Sequence, residues 1–459
     1  MQFHVATLGC PKNEVISDNV AQLLVGAGHI IVEDPEDADW LIVNTCGFIE
    51  SAREESLGVL REFAAQKRSG QKLVAFGCLP QLAGDDFSTA VPGVDGVLGT
   101  RRWMEIGDLL AAVATAADPR PQTIPSLLGD PSAELSLRAS APARRGRPDA
   151  TAYLCISDGC DAPCAFCAIP QIKGPLRSRS VEDLVGEARS LVACGARELV
   201  LIAQDTTAYG SDRGEKDALP GLVRTILGAV PDLTWLRLMY AYPQHISHAL
   251  ISLMAEEPRI CHYLDIPLQH AHAATLRRMR RPHDVARILG VLTDLRQAMP
   301  DIALRTSLIV GYPGETDEEF AALLRFVEEV AFDRVGVFTY SREAGTAAYD
   351  LPDQVSEPVK QARYDEVMTL QQQSSLRRNQ AQVGRTLGVL VEGAGDGISV
   401  GRSYRDAPEI DGLVIFEGEA PIGRFATVRI DHAEAYDLAG TWLSAPASPT
   451  SHRKKKSRR

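Results

Sequence analysis

No part of the sequence approaches the run of about 20 apolar residues that a membrane-spanning helix needs. Its first residues, Met1-Gln2-Phe3-His4-Val5-Ala6-Thr7, lack the cationic segment and following apolar run of a secretory leader. The expectation is a cytoplasmic protein with no membrane contact. Positive charge is not in excess either: the formal net charge is −12 over 459 residues. Binding phosphate needs clustered Lys and Arg, so whole-surface attraction to nucleic acid is disfavoured and a basic protein partner suits the chain better. No long internal repeat is found. What is present, 45% hydrophobic and 24% charged residues, describes an ordinary enzyme of two to four domains. The nine cysteines are odd in number and unevenly spaced, so in a reducing compartment they point to metal or cluster ligation before disulfides.

The fold class expected is α/β with a small all-β addition. Over residues 1–116, short apolar runs (Val5 to Leu8, Trp40 to Val43, Leu73 to Phe76) alternate with amphipathic stretches (Val15 to Val25, Ser51 to Ala65), which reads as an open, doubly wound parallel sheet. Residues 117–150 fill with Pro, Ala, Ser and Arg and read as a linker holding a short strand. A second β/α series occupies 151–383. Its strand candidates are Ala152 to Ile156, Glu198 to Ala203, Trp235 to Tyr240, Tyr263 to Ile266, Leu304 to Val310 and Arg334 to Phe338. Six such units suggest a partial (β/α)6 barrel. From 384 to 443 short β-like runs with Gly between them (Gly388 to Val391, Ile398 to Arg402, Leu413 to Phe416, Phe425 to Ile430) predict a small all-β barrel. Residues 444–459 end in Arg453-Lys454-Lys455-Lys456-Ser457-Arg458-Arg459, expected as a disordered basic tail that solubilises the chain or touches RNA.

Cys160, Cys164 and Cys167 fall within eight residues, just after the first strand of the second series, with a Gly before them and a Pro among them. Three thiolates in such a loop wrap three irons of a cubane and leave the fourth iron open. A zinc site with a distant fourth ligand is the alternative, and accidental clustering the plainer one. The C-x3-C-x2-C spacing, with the aromatic Phe166 before the last Cys, resembles the radical S-adenosylmethionine (SAM) superfamily. That resemblance implies a partial barrel, a 4Fe-4S cluster whose open iron is chelated by SAM, reductive cleavage to a 5′-deoxyadenosyl radical, and Phe166 near the adenine.

Cys10, Cys46 and Cys78 each follow an apolar strand by one to three residues. Parallel strands set their carboxyl ends along one edge, where open α/β sheets bind ligands, so three thiols should converge there. A second three-Cys cluster is the functional reading, and three buried small hydrophobes the other. Cys155, Cys194 and Cys261 lie within strand or helix patterns and read as core. Two triads in this order are similar to the methylthiotransferase family over nearly the whole chain. The resemblance implies two 4Fe-4S clusters, SAM as cofactor, an electron donor such as flavodoxin or ferredoxin, and a terminal barrel of the TRAM type.

Leu8-Gly9-Cys10-Pro11-Lys12-Asn13, Gln204-Asp205-Thr206-Thr207-Ala208-Tyr209-Gly210 and Tyr263-Leu264-Asp265-Ile266-Pro267-Leu268-Gln269-His270 resemble the branch of that family that modifies an aspartate β-carbon in a small-subunit ribosomal protein, the twelfth. The branch acting on tRNA adenosines more typically carries Gln-Met after its first Cys. Charge bears on the choice independently. Residues 384–443 hold five Arg and no Lys against ten Asp and Glu, a formal charge of −5, which repels phosphate and attracts a basic ribosomal protein. A tRNA methylthiotransferase and a non-catalytic iron-sulfur scaffold that binds ribosomes remain the rivals.

Further candidates sit at strand ends. Gly311 and Pro313, in Gly311-Tyr312-Pro313-Gly314-Glu315-Thr316, are read as cofactor-binding or as a generic strand-to-helix turn. Gln204 is placed with the cofactor. Asp205, Gln269 and His270 are placed at the catalytic mouth as substrate candidates. Arg305 is assigned toward the SAM carboxylate, with a structural ion pair as the alternative. Lys173, after the cysteine loop, is read as steering an acidic substrate group or as part of a solvated basic loop.

Overall fold

Trp40-Leu41-Ile42-Val43-Asn44-Thr45 has no exposed position. A strand without a wet face belongs inside a parallel sheet with helices on both sides. The computed structural model describes residues 1–84, 87–115, 125–128 and 150–444. Most of the expected linker and the basic tail beyond 444 lie outside the described residues.

The amino-terminal sheet comprises β1 (Gln2–Thr7), β2 (Ile30–Ile31), β3 (Trp40–Thr45), β4 (Lys72–Gly77), β5 (Gly96–Gly99) and β6 (Ser126–Leu127), the short strand expected in the linker. All pairings are parallel, in the order β2-β1-β3-β4-β5-β6. Alternation divides the strand side chains between two cores. Ile42, Val74 and Phe76 pack with Ile16, Val20 and Leu24 of α1 (Pro11–Gly26). Leu41, Val43, Leu73 and Ala75 pack with Leu60 of α2 (Glu50–Gln66) and Leu79 of α3 (Cys78–Ala83).

The second series opens with β7 (Thr151–Cys155). A two-residue antiparallel ladder follows, of β8 (Ser157–Asp158) with β9 (Arg177–Ser178). It closes a loop from 159 to 176 that carries Cys160, Cys164 and Cys167. Then come β10 (Glu198–Ile202), β11 (Trp235–Leu238), β12 (Ile260–Asp265), β13 (Ala303–Val310) and β14 (Arg334–Thr339), a parallel sheet in the order β14-β13-β12-β11-β10-β7. It is the expected six-strand partial barrel. Strand β11 stops at Leu238, short of the expected Tyr240, because Tyr240 takes a left-handed backbone with φ +61. Cys261 is buried as expected and Cys155 is half-buried, but Cys194 is exposed. It caps the carboxyl end of helix Val181–Ala193, beyond the apolar face that packs on the sheet.

The terminal barrel closes as β15 (Thr386–Gly395), β16 (Ile398–Arg402), β17 (Val414–Glu417), β19 (Leu438–Ser444) and β18 (Phe425–Ala433). Its fifth strand has no clear sequence signature; pairing parallel to β17 and antiparallel to β18 makes it a strand. The segment between β16 and β17 reaches under the partial barrel. Ala407 joins Val200, Ile202, Tyr263 and Ala303 on the inner face, and Val15 of α1 reaches the same cluster from the amino-terminal domain. Buried ion pairs lock this attachment: Arg402 to Glu198, Arg334 to Asp406 and Arg405 to Asp333, at 2.6, 2.7 and 2.7 Å. No helix among the described residues is long and apolar enough to cross a membrane.

Candidate active site

Strands β1, β3 and β4 are neighbours, and each delivers a cysteine just past its carboxyl end. Small residues let the three loops touch. A Cβ on Gly9 would come within 2.8 Å of the Cys46 Cβ, and one on Gly47 within 2.9 Å of the Cys78 carbonyl carbon and the Leu79 backbone. Any side chain at either position would force the triad apart. Cys46 is fixed through the Ser56 hydroxyl, which bonds both its N–H and its C=O at 3.0 Å. Cys78 Sγ donates to Asn13 Oδ1 at 3.8 Å. Burial pushes the Cys46 thiol up and the Cys78 thiol to about 12, Lys173 opposing the latter. A cluster must therefore displace protons to bind, as thiolate ligation requires.

The other triad sits in the loop held by the β8–β9 ladder. Cys160 N–H bonds Gly174 O at 3.1 Å, and Ala165 is held by Met279 O and the Ala348 N–H. Two donors already face sulfur: the Ala162 N–H reaches Cys160 Sγ at 3.4 Å, and Arg281 Nη1 reaches Cys164 Sγ at 3.6 Å. Arg281 is buried, lies over the Tyr242 ring at 4.1 Å, donates also to Pro267 O, and leaves its Nε without a partner. A buried cation against a neutral thiol has no counter-charge; against a thiolate-ligated cluster it has one. Among the described residues no three His, Cys, Asp or Glu side chains are grouped to hold a single metal ion. A tetrahedral zinc site would need sulfurs about 3.8 Å apart, whereas a cubane spreads its ligands over three irons. Three thiols in each place are the donor set that such a cubane would take, one for each of three irons.

The triads meet at one seam. Cys78 packs with Ala168 and Ile172, on the short helix that begins two residues after Cys167. Arg101 of the amino-terminal domain donates to the carbonyls of Pro170, Gln171 and Ile172 at 3.1, 2.8 and 2.9 Å. Lys173, buried, donates to Thr100 Oγ1 at 2.8 Å and pairs with Asp158 at 3.5 Å. On the far side Glu343 binds Arg53 and the Glu50 N–H.

The other sequence candidates divide. Gln204 lies in the seam: its amide donates to Asp158 at 2.9 Å, and its Oε1 is buried without a partner. Phe166 packs in one cluster with Tyr312, which brings it beside the Gly311–Pro313 turn. Gly311 has a local reason of its own, since a Cβ there would come within 2.3 Å of Lys360 Cγ. Gln269 follows β12 with φ +74, a strained backbone for a non-glycine residue. Asp205 is occupied locally, capping Thr207 and Ala208 at 3.0 and 3.1 Å and pairing with His245 at 3.0 Å. His270 is fully buried, its Nδ1 accepting from the His272 N–H and its Nε2 facing Glu315 at 3.6 Å. Arg305, the third residue of β13, is tied to Asp265 and Asp411 at 2.8 and 3.5 Å, below the strand ends and against the terminal barrel. Asp158, Arg281, Lys12 and Tyr240 were not singled out from sequence. Asp158 precedes the cysteine loop by two residues, which was the available signal; nothing local marks Arg281 or Tyr240.

Three comparisons bear on this arrangement. Residues 2–99 match the uncharacterized protein family UPF0004, residues 154–327 the Radical SAM superfamily and residues 383–443 the TRAM domain. Over 464 residues the chain is 51% identical to the ribosomal protein uS12 methylthiotransferase RimO of Roseiflexus sp. (strain RS-1), covering 97% of this chain and 98% of that one. It is 50% identical over 457 residues to the protein of the same name from Chloroflexus aurantiacus, covering 97% and 100%. Among solved structures, the radical SAM methyltransferase TsrM of Kitasatospora setae, with cobalamin and a 4Fe-4S cluster bound, superposes with a TM-score of 0.58 at 16% identity, covering 76% of this chain and 77% of that one. That likeness is one of fold.

Proposed function

The chain belongs to the ribosomal protein uS12 methylthiotransferase family of radical SAM enzymes, and from that premise we propose that its two cysteine triads divide the modification of an aspartate β-carbon in uS12 between them. Cys160, Cys164 and Cys167 hold one 4Fe-4S cluster, and Cys10, Cys46 and Cys78 hold a second. When bound, a cluster with an open iron lets SAM chelate it and supplies the electron that cleaves SAM to a 5′-deoxyadenosyl radical, while the other site holds the sulfur to be inserted. The observation that carries this division is the seam, where Cys78 packs one residue beyond Cys167 and Lys173 joins both domains.

The remaining parts are assigned to this chain's own residues. Phe166 and the turn Gly311–Pro313 wall the SAM space, and Gln204 offers its unpaired Oε1 to a donor on SAM or substrate. Gln269 stands at the substrate mouth. Asp205 is better read as a positioning residue and Arg305 as an interdomain ion pair, because their polar atoms are already engaged, whereas His270 keeps a buried Nε2 with no hydrogen-bond partner. Working units near residues 1–116, 151–383 and 384–443, an external flavodoxin or ferredoxin as electron donor, and a cytoplasmic setting complete the reading. The terminal barrel supports a basic substrate. Its docking consumes two Arg and two Asp (Arg402, Arg405, Asp406 and Asp411), so its formal charge of −5 stays on the surface that remains. Mass analysis of uS12 and tRNA from a strain lacking the gene tests the substrate. Loss of a mass increment on uS12 alone is expected, and loss of a tRNA modification alone would overturn the assignment.

Arg281→Met keeps the apolar stem but removes the positive charge beside Cys164. The reduced cluster is the more negative state, so the midpoint potential there should fall by about 60 mV, a tenfold change in a one-electron equilibrium. A potentiometric titration followed by electron paramagnetic resonance reads it, and an unchanged midpoint would remove Arg281 from the site.

A further inference from the structure

Among the described residues, the seam contains one ammonium group without a carboxylate partner. Lys12, two residues after Cys10 and in the first turn of α1, holds its Nζ 3.7 Å from the centroid of the Tyr240 ring. Among the described residues that ring contact is its partner, and it makes no ion pair or hydrogen bond to a carboxylate. Its ionisable neighbours are Tyr240, Cys10, Cys155 and Lys173, which places it between the first triad and the carboxyl ends of the barrel strands. Of the nearby cations, Lys173 pairs with Asp158, Arg179 with Glu187 and Arg305 with Asp265, while Arg101 is bound to three carbonyls across the seam and Arg281 faces Cys164. A ring face holds an ammonium in place by its quadrupole and leaves it without a carboxylate partner.

Tyr240 is itself held deliberately. Its left-handed backbone, φ +61, is unfavourable for an aromatic residue. It persists because the Tyr240 N–H faces Asp265 Oδ2 at 3.4 Å and the Tyr240 C=O accepts the Thr206 N–H at 3.1 Å. There the ring packs against the inner-face cluster and meets Lys12 of the other domain.

We propose that Lys12 receives the side-chain carboxylate of the substrate aspartate, so that the amino-terminal domain selects an acidic side chain for radical chemistry generated on the partial barrel. This rests on the reading of an aspartate in uS12 as the target. A carboxylate drawn into the seam needs a cation to offset its desolvation, and Lys12 is the seam ammonium that has no carboxylate of its own. A neutral side chain or a nucleobase would leave that half-buried ammonium without a carboxylate, which penalises the wrong substrate.

The test uses cluster-loaded full-length enzyme, wild type and Lys12→Met, with iron and sulfide assayed in both. The substrates are intact uS12 and a uS12 variant with Asn in place of the aspartate that mass spectrometry identifies in the wild-type product. Binding is followed anaerobically by fluorescence anisotropy, with KM and kcat measured for the Asp form. A charge-assisted hydrogen bond is worth about a 10- to 100-fold preference of wild type for Asp over Asn. Lys12→Met, with unchanged iron, should bind both forms equally, and Lys12→Arg should restore part of the preference. A Lys12→Met enzyme that keeps the preference, or that weakens equally toward both forms, overturns the proposal; so does a wild type indifferent to Asp and Asn. Failure of wild type to modify uS12 at all would instead overturn the functional reading beneath it.

Discussion

An enzyme carrying Ala at Cys160, Cys164 and Cys167 together is expected to release no 5′-deoxyadenosine from SAM and dithionite and to retain about half the iron and sulfide of wild type, since one of two cubanes loses every protein ligand. The matching variant of Cys10, Cys46 and Cys78 should also lose about half its iron, yet still form 5′-deoxyadenosine, because SAM cleavage needs only the open iron of the other cluster. It should yield no methylthiolated uS12. The two triads differ in their physical setting: the first is tethered by a two-residue β ladder and a short loop, and the second is spread over three strand ends. Iron, sulfide and 5′-deoxyadenosine assays on both variants read the division of labour directly. If the second variant also failed to cleave SAM while keeping its remaining cluster, the two sites would not act separately.

Glu198→Ala should be the most destabilising single change outside the triads. Glu198 is fully buried at the start of β10, where its carboxylate meets Arg237 at 2.7 Å and Arg402 of the terminal barrel at 2.6 Å, with Thr151 Oγ1 at 3.0 Å. Both guanidiniums are buried as well. Removing the carboxylate leaves two buried cations facing each other, a class of change that costs about 3–5 kcal/mol. Equilibrium denaturation of the holoenzyme should show the loss, and limited proteolysis should cut sooner between the partial barrel and the terminal barrel. The pH dependence follows from the same pair. Burial alone would raise the Glu198 pKa, but Arg237 and Arg402 outweigh it and hold it down at about 2. An unfolded Glu titrates near about 4.3, so the stabilisation is fully present above that pH and lost as pH falls toward 2. The gap between wild type and Glu198→Gln should therefore be constant near neutrality and narrow below about pH 4.5. A gap that widened on acidification would contradict the assigned charge state.

Several elements were readable from pattern alone for one reason. The strand Trp40–Thr45 is apolar throughout and the helix Asp317–Val330 carries a strong apolar stripe, so burial wrote itself into their periodicity. The six cysteines were visible because their placement repeats, three times at strand ends and three times in one loop. Leu438–Ser444 was not visible, since its two partners are distant in sequence and its own residues are small or mixed. Arg305 shows the same limit in the site. As a lone Arg in a strand it suited a SAM carboxylate, and only the fold brings Asp411 from more than a hundred residues away to compete for it.

The sequence by itself determined the chemistry available: two sets of three thiols, a β/α series to present one of them, an open sheet to present the other, and an acidic barrel at the end. These are local properties, set by residue type and short spacing. Only the tertiary structure decided that the two sets face one seam, that Lys173 and Arg101 hold it, and that Lys12 stands there over Tyr240 without a carboxylate partner. Such facts depend on how two separately folded sheets dock, and docking is fixed by contacts between residues far apart in the chain, which no periodicity records.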